Sequence, residues 1–446
     1  MTKVLVVGGG AREHAMAAAL ARSPDARIYA AMKHRNPGIA RLAKAFRLGS
    51  ETDVDAVVSW AREQGVEIAV IGPEAPEEAG LSDALQAAGI PCASPTQAAA
   101  RVETDKRFLR ELMDRHGIDG RLAFHPFEDV DAALAFLDEH GPRWAIKPLG
   151  LTGGKGVQVY GDHFRDLAGA KRYVRDVFKT GSGGGALQFE ELAEGEEFTV
   201  MAFTDGRTVL PMVSVQDHKR LREGDEGPNT GGMGSYSQCD GLLPFLTKGE
   251  YEDGVEILQA IVHALDEEGT PYVGTIYGQF MLTAAGPKVI ECNARFGDPE
   301  AMNVLHLLET DYLLLLWAMV DQELHKRKLS FRKNATVVKY AVPRGYGEGR
   351  PEAGIRVEVD EEAISAAGGT VYYASIEEHD DGTLTTMKSR TLAVLGEAET
   401  LVEAERIAES AFEHIRSGAL VVRHDIGTPA LIERRIQHMR QIRMGA

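Results

Sequence analysis

The stretch Val289-Ile290-Glu291-Cys292-Asn293-Ala294-Arg295-Phe296-Gly297-Asp298-Pro299-Glu300 reads as a strand running into a charged turn. Side chains alternate across a strand, so Glu291 and Asn293 share one face and Ile290 and Cys292 the other. A carboxylate and an amide oxygen on one face, with Arg295 two residues on, suit a hard divalent cation bound to phosphate. The preceding strand, Tyr277 to Thr283, is joined to this one by the short turn Ala284 to Pro287. That hairpin brings the Gln279 amide oxygen beside the pair, making Gln279, Glu291 and Asn293 an oxygen site for one or two Mg²⁺ ions. The plainer alternative is a charged strand end.

Upstream, Gly150-Leu151-Thr152-Gly153-Gly154-Lys155-Gly156 connects the strand Trp144 to Lys147 with a hairpin over Gly156 to Tyr160. A P-loop would join a strand to a helix and carry Ser or Thr after its lysine, where Gly156 stands, so that motif is excluded. A glycine hairpin can still cover a triphosphate, because backbone N–H groups approach closely where there is no Cβ. Lys147, at the end of the incoming strand, and Lys106, on a preceding helix with Phe108, converge on this turn. Downstream, the strand Leu187 to Glu191 ends in Leu192-Ala193-Glu194-Gly195-Glu196-Glu197, an acidic turn. Such a hinge can pair its backbone with an adenine edge while a carboxylate takes the ribose hydroxyls. An exposed hairpin with an incidental lysine is the competing reading.

The first hundred residues alternate strands (Val4 to Val7, Arg27 to Ala31, Ile68 to Ile71) with helices near Glu13 to Arg22 and Asp53 to Gln64, a doubly wound βαβαβ pattern. The turn Gly8-Gly9-Gly10 before the first helix can receive a phosphate. It is a poor dinucleotide fingerprint, since Glu13 replaces the third glycine and no acidic residue ends the second strand. Further on we expect a helix over Phe164 to Val177, a flexible connector at Gly181 to Gly185, and a helix near Met302 to Val320. After Lys328 to Lys333, short strands and a helix over about Ala398 to Arg416 read as a separate α+β unit. The expected division is an N-terminal Rossmann-like domain (1–101), a middle domain (102–328) with a small lid (about 119–186), and a C-terminal α+β domain (329–446). The fold class is multidomain α/β and α+β.

A length of 446 residues fits roughly three domains. The formal charge of −18 argues against nucleic acid and against an anionic membrane surface as partners, and it fits a salt-rich cytoplasm. Three scattered cysteines support neither a disulfide framework nor a zinc site. No signal-peptide pattern precedes the first strand, and the apolar run Tyr312 to Val320 is too short to span a bilayer. These features predict a cytoplasmic protein.

Taken in order, a lysine, a lysine with a glycine loop, a hinge and a final Glu-x-Asn resemble the ATP-grasp superfamily. Gln216-Asp217-His218-Lys219-Arg220 with Gly227-Pro228-Asn229-Thr230-Gly231-Gly232-Met233-Gly234 is similar to the central signature of the glycinamide ribonucleotide synthetases, or phosphoribosylamine–glycine ligases. Arg295 to Glu300, Gly8-x-x-x-Arg12-Glu13-His14 and Gly72-Pro73-Glu74-Ala75-Pro76 match the same family, and the resemblance covers nearly the whole chain. Departures are Ala11 for a glycine, Leu149-Gly150 for Asp-Gly, and the longer segment Ala31 to Gly38. Gln279 and this longer loop look more like an archaeal branch.

The resemblance implies ATP-dependent ligation of glycine to 5-phosphoribosylamine through glycyl phosphate in purine synthesis, by a cytoplasmic monomer or weak homodimer. It implies that Lys106, Lys147 and the loop Gly153, Gly154, Lys155 and Gly156 hold the phosphates of ATP. Glu190, Glu191 and Leu192 would flank adenine, Glu197 would take the ribose, and Gln279, Glu291 and Asn293 would hold Mg²⁺ or Mn²⁺. Arg295 would stabilise the transferring phosphoryl group, its alternative being a structural pair with Asp298 or Glu300. Asp217, Lys219, Asn229 and Asp298 would shape the glycine and amine pocket. Gly10, Glu13, Glu74, Gly231, Gly232 and Gly297 would approach the substrates. His218 is read as a hydrogen-bonded positioning group, and the lid as a cover that excludes water. The competing readings are a carboxylase working through carboxyphosphate, which leaves the Gly227 to Gly234 run unexplained, and a non-catalytic nucleotide sensor.

Overall fold

The computed structural model describes residues 1–149 and 156–445. The chain opens with four parallel strands in the order Ala45–Leu48, Ala26–Met32, Thr2–Val7, Ile68–Ile71. Val4 to Val7 are fully buried, as a strand covered on both faces requires. The strand Ala45–Leu48 and the helix Pro37–Leu42 add to the expected elements. Both are short, and their signal is local: Asn36 caps the helix and Pro37 takes its first turn.

Three strands of the expected lid and the strand Leu187–Glu190, just beyond its bound, form a small sheet in the order Phe124–Phe127, Leu187–Glu190, Ala145–Pro148, Gln158–Val159. The helices Val130–His140 and Leu167–Thr180 pack on it around a core of their own, including Leu137, Ile146, Val174 and Phe189. The run Gly181 to Gly185, expected as a flexible connector, is instead a tight turn in which Gly181, Gly183, Gly184 and Gly185 all have positive φ. A Cβ at Gly183 would stand 2.6 Å from Cβ of Pro148. The close approach of the turn to the end of the Lys147 strand therefore requires glycine there.

The central sheet is antiparallel, ordered Val209–Pro211, Glu196–Asp205, Val273–Thr283, Gly286–Asn293. Glu196 and Glu197 begin the 10-residue strand Glu196–Asp205 rather than sitting in a turn. The 20-residue helix Lys248–Glu267 backs the sheet, started by a Thr247–Glu250 capping box. Its Gly254 lies against the rings of Phe198 and Phe280.

The expected helix over Met302 to Val320 is two helices, Glu300–Leu307 and Tyr312–Val320. Asp311 starts the second by accepting from Leu313 N–H, and Leu308 leaves the helix to bridge Phe331. The expected helix from Ala398 to Arg416 is confined to Leu401–Ser410, because Ala398 completes the strand Leu392–Ala398 and Thr400 caps the helix.

The last sheet runs Gln216–Asp217, Gly234–Ser237, Ala335–Pro343, Leu392–Ala398, Gly369–Tyr373. The C-terminal unit is thus not free-standing, since its strand Ala335–Pro343 pairs with Gly234–Ser237 from the central signature. The closing helix Pro429–Met444 returns to the middle of the chain, where Arg443 pairs with Glu250. Among the described residues no helix is long and apolar enough to cross a membrane.

Candidate functional site

The expected hairpin forms, and a β-bulge at Ile290 shifts its register so that Gln279 lies opposite Glu291 and Tyr277 opposite Asn293. Gln279 and Asn293 are buried, Glu291 is part-exposed, and Cys292 turns into the core. The Lys219 ammonium sits 2.6 Å from Gln279 Oε1 and 3.8 Å from both Glu291 Oε1 and Glu197 Oε2. Gln279 Oε1 also accepts from the Tyr277 hydroxyl at 3.0 Å, while its Nε2 donates to Glu197. The Gln279 oxygen is therefore committed within the protein. Among the described residues no group of three His, Cys, Asp or Glu side chains could enclose a metal. Glu291 and Asn293 fit a Mg²⁺ that takes few protein oxygens and completes its shell with phosphate and water.

Four cations converge on this carboxylate. Burial works to raise the Glu291 carboxyl, but Lys219, Lys147, Arg295 and Lys106 hold it below the ordinary carboxylate value. Lys106 is the first residue of the helix Lys106–Arg115, and burial lowers its ammonium against the opposing pull of Glu291. Lys147 Nζ lies 2.5 Å from Glu190 Oε2 and donates to Ile290 O at 3.4 Å. Arg110, one helical turn after Lys106, forks onto both Glu190 oxygens at 3.0 Å and donates to Val289 O and Ile290 O at 2.8 Å. This network ties the lid sheet to the metal strand. Despite burial, Arg110 and Lys147 hold the Glu190 carboxyl at about 2. Glu190 thus anchors Lys147 instead of facing a nucleotide.

Glu191 is exposed and is paired with Ala123 through backbone and carboxylate. Leu192, next to it, is half-buried. Gly153, Gly154 and Lys155 lie outside the described residues. Gly156 O accepts from the Tyr173 hydroxyl.

Beyond the hairpin, Arg295 pairs with Glu103 at 2.8 Å and lies 3.6 Å from Glu74, so neither Asp298 nor Glu300 is its partner. Glu103 also accepts from Ala294 N–H at 2.7 Å. Asp298 has both oxygens engaged, by Tyr340 at 2.6 Å and Arg390 at 2.9 Å. The buried Glu300 accepts from Tyr277 at 2.9 Å. Asp217 Oδ1 is buried with no hydrogen-bond partner among the described residues. Burial first, then Glu300, push the Asp217 carboxyl well above its ordinary value. A Cβ at Gly232 would stand 2.7 Å from that oxygen. Asn229 lies opposite Arg220 in a separate hairpin, and among the described residues no side-chain hydrogen bond ties it to Asp217 or Lys219.

The His218 ring lies beside that of Tyr236, and among the described residues neither of its nitrogens has a hydrogen-bond partner. The hydrogen-bonded positioning role expected for it is absent. Burial first, then Arg435 and Arg423, keep its ring neutral by lowering its pKa well below the ordinary value.

The N-terminal turn meets this region through Arg12, which donates to Phe296 O at 3.1 Å. Glu13 turns inward, accepting from Gly10 N–H and from Arg12 Nε, each at 2.6 Å. At Gly8, with φ +117°, a Cβ would stand 2.5 Å from Glu13 Cγ. The Glu13 carboxylate therefore closes the turn rather than meeting a substrate. Burial works to raise Glu74, and Arg295 with Arg12 hold it below the ordinary value. The altered segment 31–38 docks on the C-terminal unit, with Asn36 Nδ2 donating to Gly9 O at 2.9 Å and Tyr373 O at 2.8 Å. Glu103, Arg110, Tyr277, Tyr340 and Arg390 complete the site and were not expected. Of these, only Arg110 carried a local signal, its helical spacing from Lys106.

Residues 2–103 match the N domain of phosphoribosylglycinamide synthetase, 104–301 its ATP-grasp (A) domain and 336–429 its C domain. The chain is 51% identical over 440 residues to a phosphoribosylamine–glycine ligase of Methanoregula boonei, covering 99% of this chain and 100% of the relative. It is 49% identical to that of Thermococcus gammatolerans, covering 98% of each. The crystal structure of phosphoribosylamine–glycine ligase from Thermotoga maritima superposes with a TM-score of 0.79 at 25% identity, covering 95% of this chain and 100% of that one. A biotin carboxylase domain from Hydrogenobacter thermophilus, solved with MgADP and bicarbonate, shares the fold at a TM-score of 0.71 and 17% identity, covering 100% of this chain and 95% of that one.

Proposed function

The chain belongs to the phosphoribosylglycinamide synthetase family, and from that membership we propose that it is the ATP-dependent C–N ligase joining glycine to 5-phosphoribosylamine. The products are glycinamide ribonucleotide, ADP and phosphate, a step of purine biosynthesis. The observation that supports this reading best is the gathering of Lys106, Lys147, Lys219 and Arg295 about Glu291.

A carboxylate oxygen is a poor leaving group, so the glycine carboxylate attacks the γ-phosphorus of ATP and ADP departs. The amine of phosphoribosylamine then attacks the carbonyl carbon of glycyl phosphate, phosphate leaves, and the nitrogen loses a proton. Phosphoryl transfer asks the protein chiefly for alignment and neutralised charge. Lys106 and Lys147 hold the phosphates under the loop Gly153 to Gly156, Glu191 and the Leu192 backbone flank adenine, and Glu197 takes the ribose. Glu291 and Asn293, with Gln279, would hold Mg²⁺ or Mn²⁺. When bound, the metal neutralises phosphate charge.

Arg295 stabilises the transferring group, leaving Glu74 and Glu103. Asp217, Lys219, Asn229 and Asp298 shape the glycine pocket, with Gly10, Glu74, Gly231, Gly232 and Gly297 toward phosphoribosylamine. The lid, about 119–186, closes and excludes water from glycyl phosphate. We divide the chain at about 101 and 328 and take it to act as a cytoplasmic monomer or weak homodimer.

The test is phosphate release from ATP with glycine, phosphoribosylamine or bicarbonate supplied singly and together. Release requires glycine and phosphoribosylamine together; release without either, or with bicarbonate alone, refutes the assignment.

A further inference from the structure

Arg390 enters the site from the segment that leads into the strand Leu392–Ala398 of the C-terminal sheet. Its Nη1 donates to the carbonyl oxygens of Gly231, of Gly232 at 3.1 Å and of Asp298 at 2.8 Å, and its Nη2 to Asp298 Oδ2 at 2.9 Å. The guanidinium carbon lies 4.5 Å from the centroid of the Tyr340 ring, whose hydroxyl holds the other Asp298 oxygen. Both signature loops, Gly231-Gly232 and the turn at Asp298, thus aim carbonyls and a carboxylate at one cation. Without it these negative ends would face one another in a poorly solvated space. An ammonium cannot replace it, because only a planar fork reaches acceptors on two loops at once.

The turn so held also lies against Asp217. Gly232 has φ +101°, and a Cβ there would stand 2.7 Å from Asp217 Oδ1 and 2.6 Å from Pro299 Cδ. A shift of the turn by a few tenths of an ångström therefore reaches Asp217. Among the described residues, the hydrogen bonds and ring contact of Arg390 go to Gly231, Gly232, Asp298 and Tyr340, away from Lys147 and Glu191, which are assigned to ATP.

We propose that Arg390 is a positioning residue for the ligation, fixing the Gly231-Gly232 turn against Asp298 so that the C-terminal unit completes the glycine and phosphoribosylamine pocket. The proposal rests on the ligase reading given above.

The test uses the full chain with Arg390→Lys, Asp298→Asn and the double variant. It measures kcat, KM for each of the three substrates, ADP affinity by titration and the thermal midpoint. Arg390→Lys raises KM for glycine and phosphoribosylamine by about tenfold and lowers kcat by a similar factor, while KM for ATP and ADP affinity stay within about twofold. Asp298→Asn shows the same selective pattern, and the double variant loses much less than the product of the two single losses. Wild-type parameters in Arg390→Lys, an equal loss of ADP affinity, or a multiplicative double variant each overturn the proposal. If Arg390→Lys fails to fold, Arg390→Gln, which keeps a planar N–H donor, is measured in its place, and an unselective or absent effect overturns the proposal. Failure of the ligase reading is separate, because it appears as phosphate release by the wild type without both acceptor substrates.

Discussion

Glu190→Gln keeps the shape of a buried side chain and removes the charge that two cations share. The carboxylate takes the Arg110 fork at 3.0 Å, Lys147 at 2.5 Å and the Gln188 amide at 2.6 Å. Burial works to raise its pKa, yet Arg110 and Lys147 carry it from 4.5 down to about 2. A fall of that size corresponds to about 3 kcal/mol of folding free energy. Removing one member of a buried ion cluster costs roughly 3–5 kcal/mol by general experience, which agrees. A carboxyl depressed in the folded state contributes stability that is fully present above the unfolded value and is lost as pH falls through the folded one. The window is therefore pH 4.5 to about 2.

In urea titrations at neutral pH, the variant is expected to be less stable by about 3 kcal/mol, and the gap to wild type to narrow through that window. Taking the difference between the two proteins removes the titration of every other carboxylate. The same change releases Lys147 from its anchor, so KM for ATP rises about tenfold while KM for glycine stays within about twofold. A gap that is unchanged down to the acid end of the window, or a variant as stable as wild type at neutral pH, refutes the assignment of Glu190 as the anchor.

Glu291→Ala is expected to lower kcat by about 10²–10³ in the phosphate-release assay while the thermal midpoint moves little, since the side chain is 44% exposed; retained turnover removes Glu291 from the metal set. Gly232→Ala puts a Cβ against Pro299 and Asp217 at a φ of +101°, so it destabilises by roughly 1–3 kcal/mol and abolishes measurable ligation; an active variant means the turn is not a pocket wall. His14, its pKa pushed down to about 3 by burial and then by Arg41, is buried neutral. The unfolded chain binds a proton that the folded state refuses, so stability falls between pH 6.5 and about 3, by roughly 4–5 kcal/mol in all. His14→Gln removes that slope and leaves stability above pH 7 without pH dependence from this position; an unchanged acid slope in urea titrations contradicts the burial argument.

What the sequence made legible is what depends on neighbours along the chain. The metal strand was readable because alternation places Glu291 and Asn293 on one face, whereas the Gln279–Glu291 pairing depends on a β-bulge at Ile290 that shifts the register set by the turn. The helix Lys248–Glu267 was equally readable through its Thr247–Glu250 capping box, and was overlooked. Alternation by itself does not say which face is inner, so Glu190 was assigned to the nucleotide when it sits with Gln188 in the interior. Arg390 and Tyr340 carried no signal at all, since their meeting with Asp298 depends on the pairing of Gly234–Ser237 with Ala335–Pro343, about a hundred residues apart in sequence.

The same distinction explains how a chain of charge −18 handles ATP. Net charge sets the far field, which repels polyanions, whereas Lys106, Lys147, Lys219 and Arg295 act within reach of one another on partly buried elements where screening is weak. The carboxylates Glu190, Glu291 and Glu103 pair with Lys147, Lys219 and Arg295 and hold these cations in place. An arriving triphosphate therefore displaces ion pairs rather than neutralising bare charge. ATP affinity in this site should depend less steeply on salt than a count of four cations would suggest.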